Sequence, residues 1–112
     1  MNANGNPVLL KHGYLKRKTV IGWERKYFRL LEDALFMFVS HTNNIPQQDV
    51  SLLGGSVEDV SWKLKKNCCI LVQTEKDGKI YLNCENNTEF KEWYDALYFA
   101  TTVSKLAEYC SP

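Results

Sequence analysis

Two cations in the first third of the chain, Arg17 and Lys26, stand where charge is expensive to place. Side chains alternate faces along a β-strand. Leu15 reads as a core residue, so Arg17 shares its inward face. Phe28 and Leu30 read as inward-facing on the next strand, so Lys26 and Glu24 share theirs. An unpaired charge cannot be buried in a core without heavy cost. Both positions are therefore tolerable only where the strands meet water, at the open mouth of a rolled sheet. There, a guanidinium and an ammonium near the two ends of one hairpin loop can hold an anion.

The surrounding residues extend that chemistry. Lys16, Arg17, Lys18, Arg25, Lys26 and Arg29 lie within 14 residues, opposed only by Glu24. By parity Lys16 and Lys18 face outward from the first strand, and Arg25 and Arg29 from the second. Between the strands, Thr19-Val20-Ile21-Gly22 carries two aliphatic residues at a tip where polar residues are usual. An apolar tip ringed by cations fits shallow insertion among anionic headgroups, each basic residue adding about 1 kcal/mol near the surface. The competing reading is that Val20 and Ile21 pack on Trp23. Lys63, Lys65 and Lys66 extend the basic surface if their loop lies at the same end.

Other chemistries find no support. The net charge of +1 argues neither for nucleic acid nor for a membrane by itself, and the aromatic residues read as core. The chain offers no nucleophile–base–acid set, no glycine-rich phosphate loop and no metal-ligand spacing. No enzyme, cofactor or metal site is expected. Glu58-Asp59 and the Glu75/Asp77 pair read as solvated turn residues. Of the four cysteines, Cys68 and Cys69 are adjacent in an apolar run and read as reduced strand residues, which favours a reducing compartment. The polar N-terminus lacks the apolar stretch of a signal peptide, and no run approaches the ~18 residues of a spanning helix. The expected location is cytoplasmic, with any membrane association peripheral.

The elements that must position these residues are short β-segments separated by turn signals. They run over Lys11–Thr19, Trp23–Leu31, Ala34–Val39, Val50–Leu53, Ser56–Val60, Cys68–Thr74 and Ile80–Leu82, with Asp77-Gly78 as a hairpin turn before the last. The period then changes. Asn86 followed by Glu89 reads as a capped helix start. Phe90, Trp93, Tyr94, Leu97 and Ala100 recur at helical spacing, with Trp93 and Leu97 as core anchors. The helix ends near Thr101-Thr102 or continues through Leu106 and Tyr109. At 112 residues the chain accommodates one domain. The expected organisation is a flexible segment over 1–10, a domain over 11–102, and a helix extension or tail over 103–112.

Gly13-Tyr14-Leu15-Lys16-Arg17 and Trp23-Glu24-Arg25-Lys26-Tyr27-Phe28-Arg29-Leu30 resemble the opening hairpin of pleckstrin homology (PH) domains. Leu35 to Phe38, Pro46 to Leu52 and the helix with Glu92-Trp93 and Leu97 continue the resemblance over Lys11 to Thr102. It implies a mainly β fold, a seven-stranded antiparallel barrel of two near-orthogonal sheets capped by one C-terminal helix. It also implies non-enzymatic binding of phosphoinositide or anionic lipid headgroups at the first hairpin loop. Arg17, Lys26, Lys16, Lys18 and Arg25 would be the headgroup-binding residues, and Val20 and Ile21 the membrane-inserting loop. Against the family's phosphoinositide pattern, Glu24 stands at a basic position, Met37 where a Tyr is frequent and Gln47 where a basic residue occurs. These departures predict modest affinity or atypical specificity. The alternative is a protein-interaction module on the same scaffold, using an exposed strand edge or the Val103 to Tyr109 extension.

Overall fold

The computed structural model describes residues 8–109, with side chains described as far as Val103. Among these residues there are seven strands: β1 (Leu9–Thr19), β2 (Gly22–Leu31), β3 (Ala34–Phe38), β4 (Gln48–Ser51), β5 (Ser56–Asp59), β6 (Cys69–Thr74) and β7 (Gly78–Asn83). They form one antiparallel sheet in the order β4-β3-β2-β1-β7-β6-β5. Its halves join through β1 and β7 over just two residue pairs, Lys16 with Asn83 and Arg17 with Leu82. The sheet rolls around a single core, as a strongly twisted sheet of this size must if its apolar face is to leave water.

β1 begins at Leu9, two residues before the expected domain boundary. Residues 1–7 of the expected flexible segment lie outside the described residues.

The core alternates as the strands require. Leu15, Phe28, Leu30, Leu35, Val50 and Leu52 meet Ile70, Val72, Ile80 and Leu82 across the roll, all buried. One end is closed by a helix, α2 (Asn87–Tyr109), whose Trp93, Leu97 and Ala100 enter the core while Phe90 and Tyr94 are half-buried against it. The expected cap is present: the Asn86 side-chain oxygen accepts the Glu89 N–H at 2.9 Å. At the other side of the same contact, the Lys11 ammonium of β1 reaches Glu92 at 2.8 Å and Glu89 at 3.5 Å, tying helix to sheet. The hydrogen bond and charge of Lys11 hold the Glu92 carboxyl below its usual range. α2 continues without a break beyond Thr102 to Tyr109.

The Asp77-Gly78 turn also forms, with Gly78 at φ +73° and the Asp77 N–H donated to the Thr74 hydroxyl at 2.9 Å. Cys68, Cys69 and Cys84 are free thiols, and burial pushes the Cys84 thiol up to about 12. One element was not anticipated. The segment after β5 forms a single helical turn, α1 (Ser61–Leu64), where a plain loop was expected.

Candidate functional site

The β1–β2 hairpin is in unbroken register from Lys11/Leu30 to Thr19/Gly22, which pairs Leu15 with Lys26 and Arg17 with Glu24. Beyond Leu15 and Phe28, both 2 % exposed, the inward face changes from apolar to charged within two residues. That change marks where the core ends and the mouth begins. Arg17, Glu24 and Lys26 line an open cavity of about 490 Å³ with Lys18, Met37 and Gln48.

Two of the cations there, Arg17 and Lys26, already have partners. The Lys26 ammonium lies 2.9 Å from Glu24, and its side chain is only 15 % exposed. The Arg17 guanidinium donates to the Gln48 side-chain carbonyl and lies 3.6 Å from the Met37 sulfur. A half-buried ammonium without a counter-charge would be costly, so Glu24 is a structural partner for Lys26. An incoming anion must displace or share it. The guanidinium keeps further N–H donors beyond the one given to Gln48, since it carries five.

The tip of the hairpin is built to hold its apolar residues outward. The Thr19 hydroxyl donates to the Gly22 carbonyl at 3.0 Å and accepts the Ile21 N–H at 3.3 Å. Gly22 takes φ +145°, which glycine adopts at little cost. Val20 and Ile21 are 103 % and 93 % exposed, so packing on Trp23 is excluded. Trp23 instead joins Leu64 and Tyr81 around a satellite cluster of Val60, Cys69 and Leu71.

The residues singled out from the sequence therefore divide. Arg17, Lys26 and Lys18 meet at the mouth with Glu24, Met37 and Gln47. Lys16 and Arg25 do not join them. They line a smaller cleft of about 240 Å³ with Tyr14, Asn83 and Glu85, and the Arg25 guanidinium stacks 3.8 Å from the centre of the Tyr14 ring. The residue that engages Arg17 is Gln48 rather than Gln47. Parity counted back from Val50 would have found it, because residues two apart on a strand share a face. The lysine segment does lie beside the hairpin: the Lys66 ammonium sits 5.6 Å from the centre of the Trp23 ring. Among the described residues no cluster of metal-ligating side chains occurs, and no helix is long and apolar enough to cross a membrane.

A rolled sheet plugged by a helix at one end and lined by cations at the other defines a β-barrel module with its site at the strand ends. The PH domain family model matches residues 9–102, and the chain belongs to the PH domain family. No curated relative matches the sequence. Among solved structures, the carboxyl-terminal PH domain of pleckstrin is 22 % identical, with 86 % of this chain and 99 % of that one covered at a TM-score of 0.75. The same pleckstrin domain in complex with D-myo-Ins(1,2,3,4,5)P5 is similar over 80 % of this chain and 95 % of that one, at 22 % identity and a TM-score of 0.68. The Slm1-PH domain in complex with phosphoserine is 16 % identical over 84 % of this chain and 96 % of that one, with a TM-score of 0.72. At these identities the likeness concerns the fold.

Proposed function

We propose that this PH domain is a non-catalytic, peripheral membrane-binding module of the cytoplasmic face, taking anionic lipid headgroups, phosphoinositides included, at the mouth beside the β1–β2 turn. The observation that carries this reading is the full exposure of Val20 and Ile21 directly above a cavity lined by Arg17, Lys18 and Lys26. A two-residue hairpin turn is ordinarily filled by Asn, Asp or Gly. Two aliphatic residues in fully exposed positions do nothing for the folded monomer, yet they suit entry into a bilayer. The phosphorylated ligands of the Slm1 and pleckstrin domains lend support, being anions of the same chemical kind.

Affinity is modest on this reading. Lys26 is already neutralised by Glu24, and Arg17 is engaged by Gln48 and Met37. Much of the attraction then comes from the unpaired surface cations, and salt should weaken it, since charges separated by more than about 8 Å are screened at physiological ionic strength. Sedimentation with neutral, phosphatidylserine and single-phosphoinositide vesicles, at low and physiological salt, tests the reading. Binding should require anionic lipid and fall with salt. The double substitution Val20→Ser, Ile21→Ser should weaken it by about tenfold, as two exposed aliphatic side chains lose partial burial. Equal binding to neutral vesicles, or no effect of the tip substitutions, would contradict it.

A protein partner is the second reading. It is favoured by Tyr98 and Phe99, half-exposed on α2 away from the mouth. The residues 104–109 of the extension considered for that role lie outside the described side chains.

A further inference from the structure

The largest exposed aromatic side chain described is far from the mouth in sequence. Trp62, on α1, is 76 % exposed. It is not there through slack packing. The segment is pinned to the sheet: the Ser61 hydroxyl accepts the Cys69 N–H at 2.9 Å, and the Ser61 N–H is donated to Asp59 at 3.0 Å. Val60, fully buried, and Leu64 turn inward onto the satellite cluster that also receives Trp23. Residues four apart share a helix face, so Val60, just before α1, and Leu64, at its end, both turn inward and leave the indole in water. An exposed indole has a large apolar surface with one polar N–H, the combination enriched at membrane–water interfaces.

The residues that follow point the same way. Lys65 ends α1 in the left-handed region at φ 53°, with the Lys66 N–H donated back to the Ser61 carbonyl at 3.1 Å. Glycine is the usual and less strained residue at such a helix end. This chain places a lysine there, between Lys63 and Lys66, and all three are exposed. Glu58 and Asp59 precede α1, and Asp59 is engaged by the Ser61 N–H. Lys66 reaches over Trp23, which pairs with Lys18 one step from the hairpin turn. Through Lys66, the C-terminal end of α1 lies against the hairpin that bears Val20 and Ile21.

We infer that α1 is a second membrane contact, in which Trp62 seats in the interfacial zone of an anionic bilayer while Lys63, Lys65 and Lys66 meet the headgroups. This rests on the membrane-binding reading above and adds a site to it. Two rigidly separated apolar points, the β1–β2 tip and Trp62, would fix the tilt of the domain on the surface. A single tip would leave it free to pivot.

Tryptophan fluorescence separates the possibilities, because Trp93 is fully buried and Trp23 half-buried. The full chain is titrated with phosphatidylserine vesicles containing bromine-labelled acyl chains, in parallel with sedimentation. Emission should be quenched on binding, and Trp62→Phe should remove most of that quenching. Trp62→Ala should weaken partitioning by roughly five- to tenfold, in line with partial burial of a large aromatic side chain. Sedimentation that persists with equal quenching in the native chain and Trp62→Phe overturns the inference and leaves the hairpin reading intact. Failure of the native chain to bind anionic vesicles at all overturns both.

Discussion

Replacing Trp93 by alanine is expected to lower the stability of the domain by about 3–5 kcal/mol, the range for deleting a large aromatic side chain from a core. Trp93 is fully buried and anchors α2 in the end of the roll. The loss is a large fraction of the 5–15 kcal/mol typical of a domain, and the midpoint of thermal unfolding should fall by about 10–20 °C. The indole also explains why phenylalanine should be tolerated better. Its Nε1 is buried without a hydrogen-bond partner, with the Lys11 ammonium over the ring at 5.4 Å. Trp93→Phe removes that orphaned donor and keeps most of the apolar volume, so its cost should be well under half that of alanine. Circular dichroism melts of the two variants check this. Equal losses would mean that the N–H, not the volume, is what the core requires.

The second large effect concerns the mouth. Arg17→Ala with Lys26→Ala should reduce partitioning onto anionic vesicles by about thirtyfold, because the mouth loses two positive charges at about 1 kcal/mol each near the surface and Glu24, no longer neutralised by Lys26, is left to repel the headgroups. Glu24→Gln should act in the opposite direction. It frees Lys26 from a carboxylate 2.9 Å away and removes a like charge from the path of an entering phosphate. A gain of about three- to tenfold is expected, within the range of a partly exposed ion pair turned toward a ligand. Vesicle sedimentation of all three proteins measures both changes. Weaker binding by Glu24→Gln would show that Glu24 organises the site, and that the pocket as drawn is misread.

How much of this was legible in the sequence follows from the range of the forces involved. The strands, the Asp77-Gly78 turn and the Asn86 cap depend on neighbours in the chain, and local pattern revealed them. The inward parity of Arg17 and Lys26 was equally local, since the face of a strand is settled by counting from Leu15 or Phe28. Partnership was another matter. Parity put Glu24 and Lys26 on one face but could not show that their side chains converge, nor that Gln48 from β4 would reach Arg17. Starting β4 at Val50 left Gln48 in a loop and out of consideration.

α1 was illegible for a similar reason. Four residues cannot carry a helical period, and an isolated turn is not stable in water. Its stability comes from Leu64 on the satellite cluster and from the Ser61–Cys69 bonds, all tertiary. Trp62 went unnoticed with it, since its exposure follows from the direction in which α1 is pinned. The fate of Trp23 decided the hairpin tip too. Once that ring packs on the satellite cluster, nothing remains to cover Val20 and Ile21.

The central claim is that the β1–β2 hairpin and the cavity beneath it form the lipid-binding site. Backbone amide NMR of the full chain, titrated with phosphatidylserine-containing nanodiscs with and without phosphoinositide, tests it residue by residue. Broadening at Val20 and Ile21 and shifts at Arg17, Glu24, Lys26 and Gln48 are expected, with α2 unaffected. Perturbations confined to the exposed face of α2 around Tyr98 and Phe99, or to the free edges at β4 and β5, would contradict it.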